Sequence, residues 1–538
     1  MHTDRAVILV ATAFLLACQP DSNLPTDAQT PTAAAARTPN QERLEIQLQR
    51  FSTQAMLLAG ERHGVTKIRG KTLGPGRARR RGSQARLEDV PIAASPAAEE
   101  NEPSVAANPR QKKKLVVGYH SVTDNVYCHA RRSSDGGRTW SAPVVMPQLT
   151  AESSCSDPVI AYAPDGSRVY YAYMDIKFTT GDDYDILVSY SADDGATWIG
   201  PFIALNSAAG LFVYDKPWLG TPDDDRRYVY VTATRFDLTA PGACAIVFTR
   251  SADRGTSFGG PTVLDQSGGG CGEGSSPVVQ GSRPSGGRHG QVLAAWYHSG
   301  TDGWLAGSFT IRTRHSTDHG ATFGPPAVAA TDRSEAPFWL GPFACYERWW
   351  GSMFPDVELG PDGAAHIIYT HDPVPGSETA EEGDVRYVRS GGAPYTRWSR
   401  PVTVNDDHTV SAQGYAAIEL MAEGSGQSAR PHAAWMDHRL PLEAASGSEC
   451  PFGEDVENLE FDIFYSTRQG SRWSDNVRVS GRASRSDFIF LGDYIDLTAT
   501  NGSQFAAWTD RRDKGTVFDL EDDVWGSRTH RVQVATGP

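Results

Sequence analysis

Four copies of one eight-residue stretch decide the fold of this chain: S-S-D-G-G-R-T-W (Ser133–Trp140), S-A-D-D-G-A-T-W (Ser191–Trp198), S-A-D-R-G-T-S-F (Ser251–Phe258) and S-T-D-H-G-A-T-F (Ser316–Phe323). Their shared pattern is S-x-D-x-G-x-[TS]-[WF]. The copies begin 58, 60 and 65 residues apart. A period of that size in strand-rich sequence predicts a series of stacked β units rather than one irregular domain.

Each fixed position of the pattern has a physical role in a tight turn. The Asp at the third position can accept hydrogen bonds from backbone N–H groups inside the turn. The Gly at the fifth position adopts a positive φ angle without a Cβ clash. The final aromatic ring anchors the turn against the sheet. The pattern therefore predicts the fold and says little about chemistry.

The four turns resemble the Asp-box (BNR) repeats of sialidases and related β-propellers. The resemblance covers about residues 98–538. It implies a propeller fold and action on carbohydrate as a glycoside hydrolase. Sialidases have six blades, and their top-face site is built from loops that meet over the central channel.

The catalytic signature of sialidases is not matched in this chain. The family binds the sialic acid carboxylate with three arginines, the first in an R-I-P-type motif, whereas the first unit here begins E-P-S-V-A at Glu102. The family also uses an Asp as acid/base and a Tyr/Glu nucleophile pair. Candidate counterparts are Tyr346, Glu347 and Arg348, and Asp493 with Tyr494. We therefore expect a sialidase-like propeller without authentic sialidase activity.

Two strand patterns precede each turn, and they recur seven times. The first strands of the units start near Glu102, Asp157, Asp215, Ser276, Asp356, Tyr415 and Asp493. Units five and six keep only remnants of the turn, T-R-W-S at 396–399 and S-R-W-S at 471–474. Unit seven has a third strand at 523–529, and the segment Asp89–Ala94 can complete its outer strand. Such a closure leaves no open sheet edge.

The fold prediction is thus all-β: a β-propeller of seven four-stranded antiparallel blades. Six blades with an appended sheet is the alternative.

The first eighteen residues have the pattern of an export signal. Arg5 precedes the apolar run Ala6–Leu16, which is too short to span a bilayer. The run ends in L-L-A-C at Leu15–Cys18, which resembles the lipobox of bacterial lipoproteins, where the Cys is lipidated. An ordinary signal peptide is the alternative. Residues 19–90, rich in Ala, Pro, Thr and Gln, predict a tether before a propeller over 91–538. We expect a protein anchored in the cell envelope or secreted.

Charge is divided unevenly along the chain. Residues 19–90 hold 12 Lys/Arg against 7 Asp/Glu, so, with −15 for the whole chain, the propeller carries −20. An acidic propeller argues against nucleic acid as a partner. We expect carbohydrate or a cell-surface glycoconjugate as the partner, the membrane to be reached through a lipid on Cys18, and a monomer.

Six cysteines remain after Cys18. Two pairs share a spacing of 27 residues, and each joins the strand before an Asp box to the start of the next unit. An exported chain permits disulfides. We predict the pairs Cys128–Cys155 and Cys244–Cys271 and, by elimination, Cys345–Cys450.

Strand order places the candidate site. Asp boxes lie between the third and fourth strands of a blade, on the bottom face, so the starts of first strands and the ends of second strands meet on the top face. The first set offers Glu102, Asp157, Asp215, Asp356 and Asp493. The second set offers His120, Asp175, Arg235, His298, His371, Asp437 and Asp510, with Arg439 and Arg512 two residues beyond the last two.

The functional hypothesis is an acidic cleft on the top face. Neighbouring carboxylates acquire divergent pKa values, as glycoside hydrolysis requires, and arginines bind anionic sugars. Catalytic candidates are Asp157, Asp215, Glu347, Asp356 and Asp493; binding candidates are Glu102, His120, Arg235, His298, Arg348, His371, Asp437, Arg439, Tyr494, Asp510 and Arg512.

Other interpretations of the same residues stay open. Asp and Arg at strand ends commonly pair across blades, which would make the ring structural. Oxygen ligands from the first-strand starts, from Asp182–Asp185 or from Asp223–Asp225 could bind Ca²⁺. Histidines could join carboxylates around a transition metal. The rival function is a non-catalytic surface module that binds glycan or protein.

Overall fold

The structure is a computed structural model. It describes residues 89–96, 98–177, 183–208, 210–239, 242–271, 276–300, 306–335, 354–371, 383–407, 413–423, 428–439, 460–485, 491–499, 503–512 and 522–529. Within these ranges, thirty β-strands form seven antiparallel sheets, each one blade of a propeller. The predicted seven blades are confirmed, and the six-bladed alternative is wrong.

The first strand in the chain, β1 (Val90–Ala93), belongs to the last blade. In blades one to four, the strand order from the channel outward follows the order in the chain. Blade one has β2 (Glu99–Ala107), β3 (Leu115–Val122), β4 (Val126–Ser133) and β5 (Val144–Val145). Blade two has β6 (Ser154–Tyr162), β7 (Val169–Lys177), β8 (Asp183–Ser191) and β9 (Ile199–Leu205). Blade three has β10 (Phe212–Gly220), β11 (Val229–Asp237), β12 (Cys244–Ser251) and β13 (Thr262–Gln266). Blade four has β14 (Val279–Gly286), β15 (Val292–Ser299), β16 (Ala306–Ser316) and β17 (Ala327–Glu335).

The remaining blades follow the same order. Blade five has β18 (Asp356–Leu359), β19 (Ala365–His371), β20 (Asp384–Ser390) and β21 (Val402–Thr403). Blade six has β22 (Gln413–Glu423), β23 (Ser428–Asp437), β24 (Glu460–Gln469) and β25 (Arg472–Trp473), with β26 (Val477–Arg478) and β27 (Ser484–Arg485) also paired to β24. Blade seven has β28 (Asp496–Ala499), β29 (Gln504–Asp510), β30 (Asp523–Thr529) and then β1.

Blade seven joins the two ends of the described chain. Strand β1 pairs antiparallel with β30, with Val90 opposite Gly526 and Pro91 opposite Trp525. The predicted role of Asp89–Ala94 as the outer strand is confirmed. This pairing closes the ring without an open edge.

The second strand of each blade supplies most of the core. All eight residues of β3 are buried, as are eight of the nine in β7. A strand buried on both faces lies between two packed neighbours, which explains the continuous apolar runs in these strands. The outermost strands are short or exposed, as Val145 in β5 shows with 53% exposure.

The four Asp boxes form the turns between third and fourth strands, as predicted. In the first, Asp135 Oδ1 accepts from the Thr139 backbone N–H (3.1 Å) and Oδ2 accepts from the Thr139 hydroxyl (2.7 Å). Ser133 Oγ accepts from the Gly137 N–H at 2.8 Å. The other three boxes repeat these bonds.

Each box also contacts the blade before it. Gly137 faces Phe505 of blade seven, and Gly320 faces Phe248 of blade three, too closely for a Cβ. Gly137 and Gly320 have φ of 85° and 76°. The box glycine is therefore required both by backbone conformation and by packing between blades.

Two of the predicted disulfides are confirmed. Cys128–Cys155 joins blade one to blade two, and Cys244–Cys271 joins β12 to the segment that leads into blade four, with Cα–Cα distances of 5.5 and 5.1 Å. Disulfides are typical of proteins outside the cytoplasm. Cys345 and Cys450 lie outside the described residues.

The predicted signal, lipobox and tether lie outside the described residues and stay predictions. In the described part of the chain, no helix is long and apolar enough to cross a membrane.

Candidate functional site

A repeated β-bulge near the start of the first strand builds the site. In blades one, two, three, four and six the register between first and second strands shifts at the same place. The bulged residues have positive φ: Glu102 (51°), Asp157 (51°), Lys216 (52°), Gly281 (66°) and Tyr415 (51°). A bulge re-aims the side chain, and positive φ strains any residue other than Gly.

Among these five bulges, charged side chains occupy the position in blades one to three. Lys216 Nζ lies 2.9 Å from Asp157 Oδ1 and 3.5 Å from Glu102 Oε1, and it also contacts Asp493 Oδ2 of blade seven. The Asp493 backbone N–H donates to Glu102 Oε1 at 3.1 Å. Asp215 precedes Lys216 and accepts from Gln280 Nε2 at 3.1 Å. We call Glu102, Asp157, Asp215, Lys216 and Asp493 the upper acid group.

The upper acid group is deeply buried, and its pKa values diverge. Burial raises the pKa of Glu102 and of Asp215 well above the ordinary range, and the Asp157 charge adds to both rises. Burial alone would raise the pKa of Asp157 too, but the Lys216 ammonium and a hydrogen bond from Glu102 lower it. Burial would lower the pKa of Lys216, but the surrounding carboxylates hold it well above its usual value. Burial thus favours the neutral forms of Glu102 and Asp215, whereas the charges of Asp157 and Lys216 stabilise each other.

His120 lies next to this group. Its Nδ1 is 3.5 Å from Glu102 Oε2, and its side chain is fully buried. Burial lowers the pKa of His120 to about 3, so the ring is neutral at physiological pH.

Aromatic and arginine side chains cross the channel beneath the group. The Tyr494 hydroxyl of blade seven donates to the Pro158 carbonyl of blade two at 2.9 Å. The Tyr494 ring meets Trp218 of blade three edge-on at 5.2 Å, and Arg283 of blade four stacks 3.6 Å over Trp218. Contacts between blades that are not neighbours must pass through the channel. Tyr494, Trp218 and Arg283 therefore form a central plug.

His120 does not share the register of the other second-strand candidates, which corrects the sequence alignment. It pairs with Asn101, one place before the bulge, and the residue equivalent to Asp175 and Asp437 is Ser121. Successive residues of a strand face opposite sides of the sheet. His120 therefore faces Glu102, whereas the others face away.

Those other candidates have partners of their own. Asp437 binds Arg439 and Asp510 binds Arg512, within 2.7 Å in each pair. Arg235 pairs with Asp237 at 3.0 Å. His371 pairs with Asp332 at 2.7 Å. Asp175 accepts from Ser153 Oγ at 3.0 Å. His298 lies at the same register position, half-buried in β15.

Asp356 also differs from its predicted place. It pairs with Ile368 as Asp496 pairs with Ala507, so its counterpart in blade seven is Asp496 and not Asp493. Asp356 Oδ2 accepts from the Ile418 N–H at 2.8 Å, and Oδ1 meets Arg283 Nη1 at 2.9 Å. Asp356 therefore links blade five to blades four and six, one layer below the upper acid group.

Glu347 and Arg348 lie outside the described residues, as do Tyr346 and Asp182. Asp183 and Asp185 pair with Lys177, and Asp225 pairs with Arg227. One oxygen each of Glu102, Asp157 and Asp493 lies within 4.8 Å of the others, an arrangement that could hold a cation. The Lys216 ammonium already contacts all three and serves as a cation tethered to the chain.

Sequence reasoning missed Lys216, although a signal for it exists. Glu102, Asp157 and Lys216 each precede a proline, at Pro103, Pro158 and Pro217. Aligning these units on the proline rather than on the acid finds the lysine.

Sequence reasoning also missed two carboxyl groups in the lower channel, Glu358 and Glu419, which we call the lower glutamate pair. They pair with His366 and His432 in matching registers of blades five and six. The same position holds only alanine in blades one and two, Ala106 and Ala161. Glu358, Glu419, Ala106 and Ala161 are half-buried, whereas the two histidines are buried.

Burial raises the pKa of both members of the lower glutamate pair. For Glu358 the pKa rises well above its ordinary value, with the Glu419 charge adding to the rise. For Glu419 it rises to about 7 despite the opposing charge of Lys112. Neither glutamate forms an ion pair with any Lys or Arg that the structure describes.

Comparison with known proteins adds fold similarity only. No protein-family model and no curated protein matches the chain. The α-L-arabinofuranosidase of Fusarium graminearum, solved with arabinobiose, is 11% identical over 82% of this chain and 97% of its own, with a TM-score of 0.45. A Hadza microbial sialidase is 13% identical over 76% and 73%, with a TM-score of 0.40. An ulvan lyase from a new polysaccharide lyase family is 9% identical over 81% and 95%, with a TM-score of 0.47.

Proposed function

We propose that this protein is a carbohydrate-active propeller that hydrolyses glycosides at the upper acid group. One observation carries the proposal: carboxyl oxygens of Glu102, Asp157 and Asp493, from three different blades, converge within 4.8 Å around one lysine. The bulge is common to five blades, but charged residues occupy it only on one arc of the ring. Backbone strain and converging ionisable groups are both typical of functional sites.

The roles follow from the protonation states. Glu102, whose raised pKa favours the protonated form, is the general acid that protonates the leaving glycosidic oxygen. Asp157, held ionised by Lys216, attacks the anomeric carbon. Carboxyl groups this close leave no room for a water between them, which favours a covalent glycosyl intermediate and net retention. Water then hydrolyses the intermediate with Glu102 as base.

Access is from the top face. Lys216 is the member of the charged cluster whose side chain reaches solvent, at 5% exposure, whereas the side chains of Glu102, Asp157 and Asp493 are fully buried. Binding a sugar therefore requires that side chains around Lys216 move aside. The Asp-box resemblance supports carbohydrate as the substrate class. The confirmed disulfides support a site of action outside the cytoplasm, with the predicted lipid on Cys18 as the anchor.

The test is a screen of purified protein against chromogenic glycosides and oligosaccharides. The wild type should hydrolyse at least one class with retention. Asp157→Asn should reduce kcat by roughly 100-fold or more because it removes the nucleophile. Its thermal unfolding should change little, because Asp493 still neutralises Lys216.

Asp356→Asn is the matched control, since it is buried but lies below the group. It should cost stability through Arg283 and Ile418 while leaving kcat near wild type. No hydrolysis by the wild type across the array would contradict the proposal.

A second candidate is a non-catalytic surface propeller that binds glycan or protein. The complete burial of Glu102, Asp157 and Asp215 favours it, because such residues can act as struts that close the channel. In that case Asp157→Asn and Asp356→Asn would both lower the unfolding temperature, and neither would affect ligand binding.

A further inference from the structure

The turn of blade six has a sequence that fits the Asp-box pattern with its charge reversed. Ser466–Trp473 reads S-T-R-Q-G-S-R-W, which fits the box pattern except that Arg468 replaces the Asp and Arg472 replaces the Thr. Gly470 keeps a positive φ of 59°. Trp473 still packs edge-on against Tyr387 of blade five, at 5.2 Å. The turn itself is a two-residue β-hairpin at Gly470–Ser471, in which Arg468 pairs with Trp473 and Gln469 with Arg472, and not an Asp-box loop.

Arg468 cannot accept the hydrogen bonds that Asp135 accepts in the first box. Its guanidinium instead lies 5.0 Å over the Tyr387 ring, and its Nη1 donates to the Gly470 carbonyl oxygen. Within the described ranges, that is the one hydrogen bond of this side chain. A guanidinium has five N–H donors, so donors remain for another partner.

The arginine that faces this turn from blade five has fewer contacts than its counterpart in blade three. Where a true box is present, Arg250 of blade three donates to the carbonyls of Asp318 and His319 in the next blade's box, both at 2.9 Å. Arg389 is its counterpart in blade five, since each precedes the serine that ends the third strand. Among the described residues, the guanidinium of Arg389 forms one ion pair, with Asp362 at 3.4 Å.

These changes leave a cavity of about 330 Å³ at the seam of blades five and six, on the Asp-box face. Its lining includes Arg389, Arg430 and Arg468, together with Asp362 and His366. Three guanidinium groups thus face one carboxylate, on a propeller that is acidic overall. We call this cavity the seam pocket.

His366 contributes a neutral donor. It is 3% exposed, and its Nδ1 lies 2.7 Å from the Tyr387 hydroxyl. Burial, with the charges of Arg389 and Arg468, lowers the pKa of His366 to about 3. The Tyr387 hydroxyl can donate to Nδ1, which leaves the proton on Nε2, the other ring nitrogen.

We propose that the seam pocket binds the sulfate or phosphate group of a small anionic ligand. Guanidinium forks bind such oxyanions through paired N–H donors, and a volume near 300 Å³ accommodates a sugar-sized group. The predicted tether is a poor occupant because residues 19–90 carry a net positive charge. The seam pocket lies on the face opposite the upper acid group, so this proposal does not depend on glycoside hydrolysis.

The test is calorimetric titration of the full protein with potassium sulfate and potassium phosphate, against chloride at equal ionic strength. The wild type should show saturable binding of one oxyanion per chain. Arg468→Asp and Arg430→Gln should each weaken binding at least tenfold. Arg472→Asp makes the same charge change in the same turn outside the pocket lining, and it should bind like the wild type.

Two further ligands distinguish the source of the oxyanion. Tighter binding of glucose 6-sulfate points to a sulfated glycan, and tighter binding of glucose 6-phosphate to a phosphorylated one. Absence of saturable binding to the wild type overturns the proposal, as does an equal loss in Arg468→Asp and Arg472→Asp. If Arg468→Asp fails to fold, Arg430→Gln decides: wild-type affinity in that variant overturns the proposal.

Discussion

The upper acid group and the lower glutamate pair lie in the same channel, on either side of the central plug, but they differ in whether a cation contacts their carboxyl groups. The upper group is sealed and contains its own cation, Lys216, in contact with three carboxyl groups. The lower pair is half-buried, with no Lys or Arg ion pair among the described residues. Lys216 favours the charged form of Asp157, whereas burial favours the neutral forms of the lower pair, so chemistry that needs a charged carboxylate belongs to the upper group.

Removing the cation should have the largest effect. Lys216→Met keeps the chain length of the side chain but leaves buried carboxylates without a counter-charge. We expect the free energy of unfolding at pH 7 to fall by roughly 3–5 kcal/mol, measured by urea denaturation. The loss should shrink at acid pH as the carboxyl groups become protonated.

Lys114→Met provides the control, because Lys114 pairs with Asp194 where both side chains are partly exposed. It should cost about 1 kcal/mol or less. Equal losses in the two variants would mean that Lys216 is no more important than a surface lysine.

A substitution in the lower glutamate pair should have the opposite effect and stabilise the protein. The pKa of Glu419 is raised from 4.5 to about 7, so above pH 4.5 the folded state keeps a proton that the unfolded state has lost. Stability is therefore lost as pH rises through that window. Glu419→Gln should stabilise the protein at pH 8 by roughly 1–2 kcal/mol, after allowance for partial exposure, and change nothing at pH 4. Destabilisation at pH 8 would show that the Glu419 carboxylate makes a favourable contact.

A smaller effect is expected at the Asp boxes, where hydrogen bonds alone stabilise the carboxylate. Burial would raise the pKa of Asp135, but hydrogen bonds from Thr139 and Ser133 lower it to about 2. Its contribution is present above the ordinary value of 3.8 and is lost as pH falls toward 2. Asp135→Ala should cost about 1–2 kcal/mol at pH 7 and less near pH 2, measured by thermal unfolding. Asp124→Ala, an exposed carboxylate outside any box, should change stability little at either pH.

The sequence predicted the parts of this fold that depend on local pattern. The box at Ser133–Trp140, the closing strand Asp89–Ala94 and the Cys128–Cys155 pair all follow from short motifs and spacing. The convergence of Glu102 with Asp157 followed from strand order alone. Local patterns sufficed there because each feature repeats with the blade.

The errors arose where the backbone departs from that regularity. One bulge moves the register by a residue, so His120 faces Glu102 while Asp437 faces away, and no residue type marks the shift. Asp356 was aligned on its charge, whereas its strand pairing makes it the counterpart of Asp496. Lys216 was not predicted because the acidic residue before it, Asp215, fitted the expected pattern.

The central claim is that Glu102 acts as a proton donor in the upper acid group and not as a strut. Glu102→Gln tests it most directly, because glutamine copies the neutral form of the acid but cannot give up a proton. We expect kcat/KM on the glycoside that the wild type hydrolyses to fall at least 100-fold, with the free energy of unfolding within about 1 kcal/mol of wild type. Full activity combined with a clear loss of stability would contradict the account and make the upper acid group a structural closure of the channel.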